Sequence, residues 1–74
     1  MIPYSNSNSG IAAFDYGDGW IRLQFKDGKM YEYTASAIGD AHLDEMKSLA
    51  DARDGLNTYL NSHPDIRRHG VRVY

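Results

Sequence analysis

Residues 11–34 read IAAFDYGDGWIRLQFKDGKMYEYT, and this stretch decides the fold. Two Asp-Gly pairs, Asp18-Gly19 and Asp27-Gly28, divide it into three strand-like runs: Ile11 to Tyr16, Trp20 to Lys26 and Lys29 to Thr34. Asp-Gly is a hairpin signal because glycine enters the positive-φ region at little steric cost. In the middle run Ile21, Leu23 and Phe25 alternate with Arg22, Gln24 and Lys26. That period of two belongs to a strand with one buried and one wet face. The stretch predicts a three-stranded antiparallel meander.

Side-chain pattern also sets the register, since a slip of one residue exchanges the two faces. A two-residue turn at Asp18-Gly19 pairs Tyr16 with Ile21, Phe14 with Leu23 and Ala12 with Phe25. At Asp27-Gly28 the same turn would set Leu23 against Glu32. A three-residue loop, Lys26-Asp27-Gly28 with Gly28 left-handed, instead pairs Leu23 with Tyr31 and Ile21 with Tyr33. It also places Asp15, Arg22 and Glu32 in a charged row on the outer face.

The second half carries helical spacing. Asp40 is the expected N-cap, and Leu43, Met46, Leu49 and Ala50 form an apolar stripe. Asp54-Gly55 reads as the stop, with Gly55 left-handed. Leu56, Tyr59, Leu60 and His63 mark a shorter helix that Pro64 ends. One more turn fits Pro64 to His69, and Val71–Tyr74 alternates like a terminal strand. Two amphipathic helices after a sheet with one apolar face predict a two-layer α+β domain over residues 11–69. Residues 1–10, with their Ser-Asn run, read as a flexible lead-in, and residues 70–74 as a tail.

At 74 residues the chain is one small domain, and it has no cysteine to staple it. The formal net charge of −2 argues mildly against a dedicated nucleic-acid binder. Charge is uneven, however. Residues 1–51 carry eight acidic side chains and four basic ones, whereas residues 52–74 carry four arginines against Asp54 and Asp65. No run approaches the ~20 apolar residues of a membrane span, and Met1-Ile2-Pro3-Tyr4 has no signal-peptide character. A cytoplasmic protein is the expectation.

The pattern Ile11, Ala13, Tyr16, then Ile21-x-Leu23-x-Phe25, then Asp27-Gly28-x-x-Tyr31-x-Tyr33 resembles the KTSC domain. Tyr59-Leu60-Asn61 is similar to a downstream segment of that family. The likeness spans roughly residues 5–69. Pro64-Asp65 stands as an insertion before Ile66-Arg67, and the tail to Tyr74 is extra. The domain is named for the C-terminal extension of some lysyl-tRNA synthetases and also stands alone in bacteria and phages. The family has no established activity; the resemblance implies an accessory module, with RNA binding suggested by the synthetase attachment.

Three sets of residues bear on function. On the outer sheet face, Trp20, Arg22, Met30 and Glu32 are candidates to meet a protein partner or a second copy of the chain, since Trp and Arg are favoured interface anchors. The other reading of that face is a wet side of an antiparallel sheet with a stray Trp. At the basic end, Arg53, Arg67, Arg68 and Arg72 are candidates for phosphate contact, or form a solvated end of the fold. Tyr31 and Tyr33 fall inward in the expected register and read as core rather than as a stacking platform. No catalytic set, metal-ligand spacing or cofactor loop is found, so a non-enzymatic protein-binding module without cofactor is expected, with an RNA- or tRNA-binding module as the alternative.

Overall fold

The computed structural model describes residues 1–4 and 9–73. Its frame is the hairpin pair read from the sequence: β2 (Ile11–Gly17), β3 (Trp20–Phe25) and β4 (Met30–Thr34). Tyr16 pairs with Ile21, Phe14 with Leu23, Leu23 with Tyr31 and Ile21 with Tyr33. Gly28 has φ +91°, and its N–H donates to the Phe25 carbonyl, which closes the three-residue loop. The Asp27 carboxylate accepts from the Lys29 N–H at 3.0 Å and braces that turn.

The meander is the middle of a larger sheet. β1 (Ile2–Pro3) pairs antiparallel with β2, and β5 (Val71–Arg72) with β4, giving, among the described residues, five strands in the order β1-β2-β3-β4-β5. The expectation of a three-stranded sheet is corrected to this extent, and so is a lead-in that starts at residue 1. Tyr4 is 3% exposed, packs edge-on to Phe14, and its hydroxyl oxygen accepts from the Leu56 N–H at 3.3 Å. The rest of the Ser-Asn run, Ser5–Asn8, lies outside the described residues, as does Tyr74. The pairing of Ala12 with Phe25 is also corrected. Ile11 takes that place, through an irregularity between Ile11 and Ala13, and Ile11 is fully buried. A bulge lets the larger apolar side chain turn inward and leaves Ala12 half-buried.

Among the described residues, four helices follow where two were expected: α1 (Ala35–Ile38), α2 (Asp40–Ala52), α3 (Leu56–Ser62) and α4 (Pro64–Arg68). Asp40 is the first residue of α2 rather than its cap, a place held by Gly39; as a first-turn acid it still favours the helix dipole. The left-handed stop of α2 is Arg53, with φ 55°, and not Gly55. The Arg53 N–H donates to the Ala50 carbonyl and the Asp54 N–H to that of Leu49, so these two carbonyls of the last turn are satisfied. Gly55 is left-handed too, but it leads into α3. Pro64 opens α4 at the position where its missing N–H costs nothing.

The inner sheet face supplies Ile11, Phe14, Ile21, Leu23 and Tyr33 to the core, and the helices supply Ile38, Leu43, Met46, Ala50, Leu56, Leu60 and Ile66. Among the described residues, the buried side chains of the helices pack with this inner-face set, so the domain has two layers, as the amphipathic pattern requires. Among the described residues, no helix is long and apolar enough to cross a membrane.

Candidate functional site

The helices cover the inner face incompletely. Near the second hairpin it stays open as a cleft of about 450 Å³. Its floor and one wall are Phe25, Tyr31 and Tyr33, and its other wall is Pro64, Arg67 and Arg68 from α4; Asp27 and Lys29 stand at the hairpin end. Phe25 and Tyr31 meet edge-on with centroids 5.8 Å apart. This is the favourable geometry for two rings and holds both in place.

The Tyr-x-Tyr pair therefore divides. Tyr33 is 2% exposed, as its inward register demands. Tyr31 is only half-buried and lines the cleft, which corrects the reading of both as core. Burial raises the Tyr33 hydroxyl pKa above the usual phenol value, and the nearby Arg67 charge opposes that rise. The tip of Tyr33 sits against Gly70, where a Cβ would stand 2.7 Å from its Cζ.

Arg67 donates to the Asn61 side-chain oxygen. Asn61 is neutral, so this bond orients the guanidinium without cancelling its charge. Arg68 is paired with Asp65, and both are largely exposed. Lys29 lies 3.9 Å from Asp27. A second hollow of about 400 Å³ adjoins the cleft and shares Phe25, Asp27 and Arg67 with it; Gly10, Lys26, Asn57 and Asn61 complete its lining.

Of the four arginines proposed for phosphate contact, Arg67 and Arg68 share the cleft. Arg72 stands opposite Tyr31 in the β4–β5 ladder. Arg53 belongs elsewhere: it lies 5.8 Å over the Phe14 ring and donates to the Asp51 carbonyl. Phe25, Tyr31 and Lys29 were missed as site residues. The available signal was the position of Phe25, last of the inward residues of β3 and next to a three-residue loop.

The outer-face set is brought together. Arg22 and Glu32 form a 2.7 Å ion pair, the Arg22 guanidinium lies 5.5 Å over the Trp20 ring, and Met30 follows beside Gln24. Trp20 lies flat across β2 because residue 17 is glycine: a Cβ there would stand 2.7 Å from the indole nitrogen. Val71 pairs with Glu32 and shares this face, and Val71 and Val73 are both exposed.

The histidines are engaged away from the cleft. His42 Nδ1 shares a 2.6 Å hydrogen bond with the Tyr59 hydroxyl, and His63 Nδ1 donates to the Tyr59 carbonyl. Burial, and then the Glu45 charge, raise the Tyr59 pKa. Among the described residues, no three His, Cys, Asp or Glu side chains gather to hold a metal. No protein-family model matches the chain, and it has no significant match among curated proteins or solved structures.

Proposed function

We propose that this chain is a non-enzymatic binding module that holds single-stranded nucleic acid, RNA in particular, in the cleft between the second hairpin and α4. The observation that carries this is the meeting of Phe25 and Tyr31 with Arg67, Arg68 and Lys29 in one open hollow. Aromatic faces stack any base, and cations beside them take the phosphates. In sequence the arginines stand apart from aromatic residues, and the fold supplies those from a hairpin about forty positions earlier. The KTSC-like pattern supports the same reading, since that domain extends a tRNA synthetase.

The test is fluorescence anisotropy of a labelled single-stranded RNA across a salt series. Three phosphate contacts give a slope of log affinity against log salt of about −2, and Arg67→Ala with Arg68→Ala brings it to about −0.7. Tyr31→Ala weakens binding at every salt concentration. Absence of binding at the lowest salt, or an unchanged slope in the double variant, overturns the proposal.

A second reading uses the outer face, where Trp20, Met30, Val71 and Val73 lie around the Arg22–Glu32 pair. Such a face suits a protein partner or a second copy of the chain, as in a small bacterial or phage accessory protein. Trp20→Ala and Arg22→Ala would then lower the sedimentation-derived mass or abolish partner capture while leaving RNA binding intact.

A further inference from the structure

The two adjoining hollows differ in chemistry. The larger offers ring surfaces, Phe25 and Tyr31, which accept any base. The smaller offers amides: Asn57 and Asn61 stand four residues apart on α3 and so project from one face of that helix into the same hollow. A side-chain amide has one donor end and one acceptor end and can read a base edge, which a stacking ring cannot. Arg67 occupies the Asn61 oxygen, so the Asn61 NH2 group and the whole Asn57 amide are what a ligand meets. Phe25, Arg67 and Asp27 line both hollows, so they mark the junction, and Arg67 is the cation there.

Resting on the nucleic-acid reading above, we infer that the site takes two consecutive nucleotides of a single strand. The first stacks in the aromatic hollow with little base preference. The second is read at its edge by Asn57. Arg67 holds the phosphodiester that joins them, since its planar fork suits phosphate oxygens and no carboxylate pairs with it among the described residues.

The experiment displaces a labelled RNA pentamer from the full chain with unlabelled competitors. These are nucleoside 5′-monophosphates, the sixteen dinucleoside monophosphates, and trinucleotides. Dinucleoside monophosphates should compete at least tenfold better than mononucleotides, and a third nucleotide should add less than threefold. Base preference should appear at one of the two positions only. Asn57→Ala should erase that preference and leave the weakest dinucleotides unchanged, whereas Tyr31→Ala should weaken all sixteen alike. Far-UV circular dichroism checks that both variants are folded, and Asn57→Gln, which keeps an amide on the same helix, should retain a preference. Equal competition by mononucleotides, or a uniform loss in Asn57→Ala, overturns the two-nucleotide site while leaving RNA binding standing. Failure of the pentamer itself to bind overturns both.

Discussion

Replacing Gly70 by alanine tests how firmly the C-terminal segment closes one side of the cleft. Gly70 does not hold a positive φ, so alanine meets no backbone penalty there. The cost is steric. A Cβ at residue 70 would stand 2.7 Å from Tyr33 Cζ and 2.8 Å from its hydroxyl oxygen. Ordinary carbon contacts lie near 3.5 Å, so roughly 0.7 Å of movement is required. Tyr33 is 2% exposed and cannot yield, which leaves the backbone of residues 70–73 to move. Overpacking of this kind costs about 1–3 kcal/mol. An upper limit comes from peeling β5 away. That frees a two-residue ladder and the Val73 N–H bond to the Met30 carbonyl, and Val71 and Val73 contribute little burial because they are exposed. At ~0.5–1.5 kcal/mol per hydrogen bond, peeling also costs a few kcal/mol at most. The expected loss is about 1–2 kcal/mol, or roughly 5–15 °C in Tm for a domain of this size. Thermal unfolding followed by circular dichroism reads it. Gly10→Ala is the control, since a Cβ there meets nothing within 4 Å and should change stability by less than ~0.5 kcal/mol. Hydrogen exchange at Val73 should quicken in Gly70→Ala. If Gly70→Ala melts with the wild type, residue 70 does not rest on Tyr33, and the placing of Arg67 and Arg68 over the hairpin fails with it.

Three further outcomes follow from the packing. The raised pKa of Tyr33 means that its neutral phenol is favoured in the fold; stability should hold below about pH 10, the unfolded value, and fall as pH rises through the folded value. Urea midpoints from pH 8 to 11.5 should show this fall and a shallower one in Tyr33→Phe; an equal slope in the variant would refute the assignment. Leu23→Ala removes a fully buried side chain at the centre of the sheet and should cost about 2–5 kcal/mol, out of a total near 4–11 kcal/mol expected for 74 residues. A urea midpoint barely lowered by it would contradict the register. Breaking the Arg22–Glu32 pair by Glu32→Gln should cost under ~1 kcal/mol, because both partners remain partly exposed, and a loss above ~2 kcal/mol in chemical denaturation would mean that the outer face is covered.

Local chemistry made the hairpins legible. Once Glu32 had to leave the inner face, only the three-residue loop at Gly28 was left, and the observed pairings of Leu23 with Tyr31 and Ile21 with Tyr33 agree. What escaped reading depends on residues far apart. β1 contains a proline and precedes a polar run, yet Tyr4 caps α3 across fifty residues through the Leu56 N–H. Arg53 has no propensity for the left-handed region; it takes it because the bonds to Ala50 and Leu49 end α2 there, while Gly55 nearby drew the expectation to itself. The cleft was illegible for the same reason. Phe25 alternates like a core residue, and only the three-dimensional path of α3 and α4 leaves it uncovered.

The net charge of −2, which in sequence counted against nucleic acid, weighs less once charges have positions. Screening confines exposed charges to about 8 Å at physiological salt, so a polyanion in the cleft meets its lining rather than the whole molecule. Asp40, Asp44 and Glu45, the acids that open α2, are not part of that lining. Asp27 is the carboxylate within it, against Lys29, Arg67 and Arg68. Asp65 offsets Arg68 from outside, and Asp27 offsets Lys29 at the long distance of 3.9 Å. Arg67 remains, held by a neutral amide beside Phe25. Its place depends on Pro64, which ends α3 after Ser62 and starts α4 in a new direction. Pro64 thus brings Arg67 to the aromatic hairpin, and a basic end with no visible partner in sequence becomes one wall of the cleft.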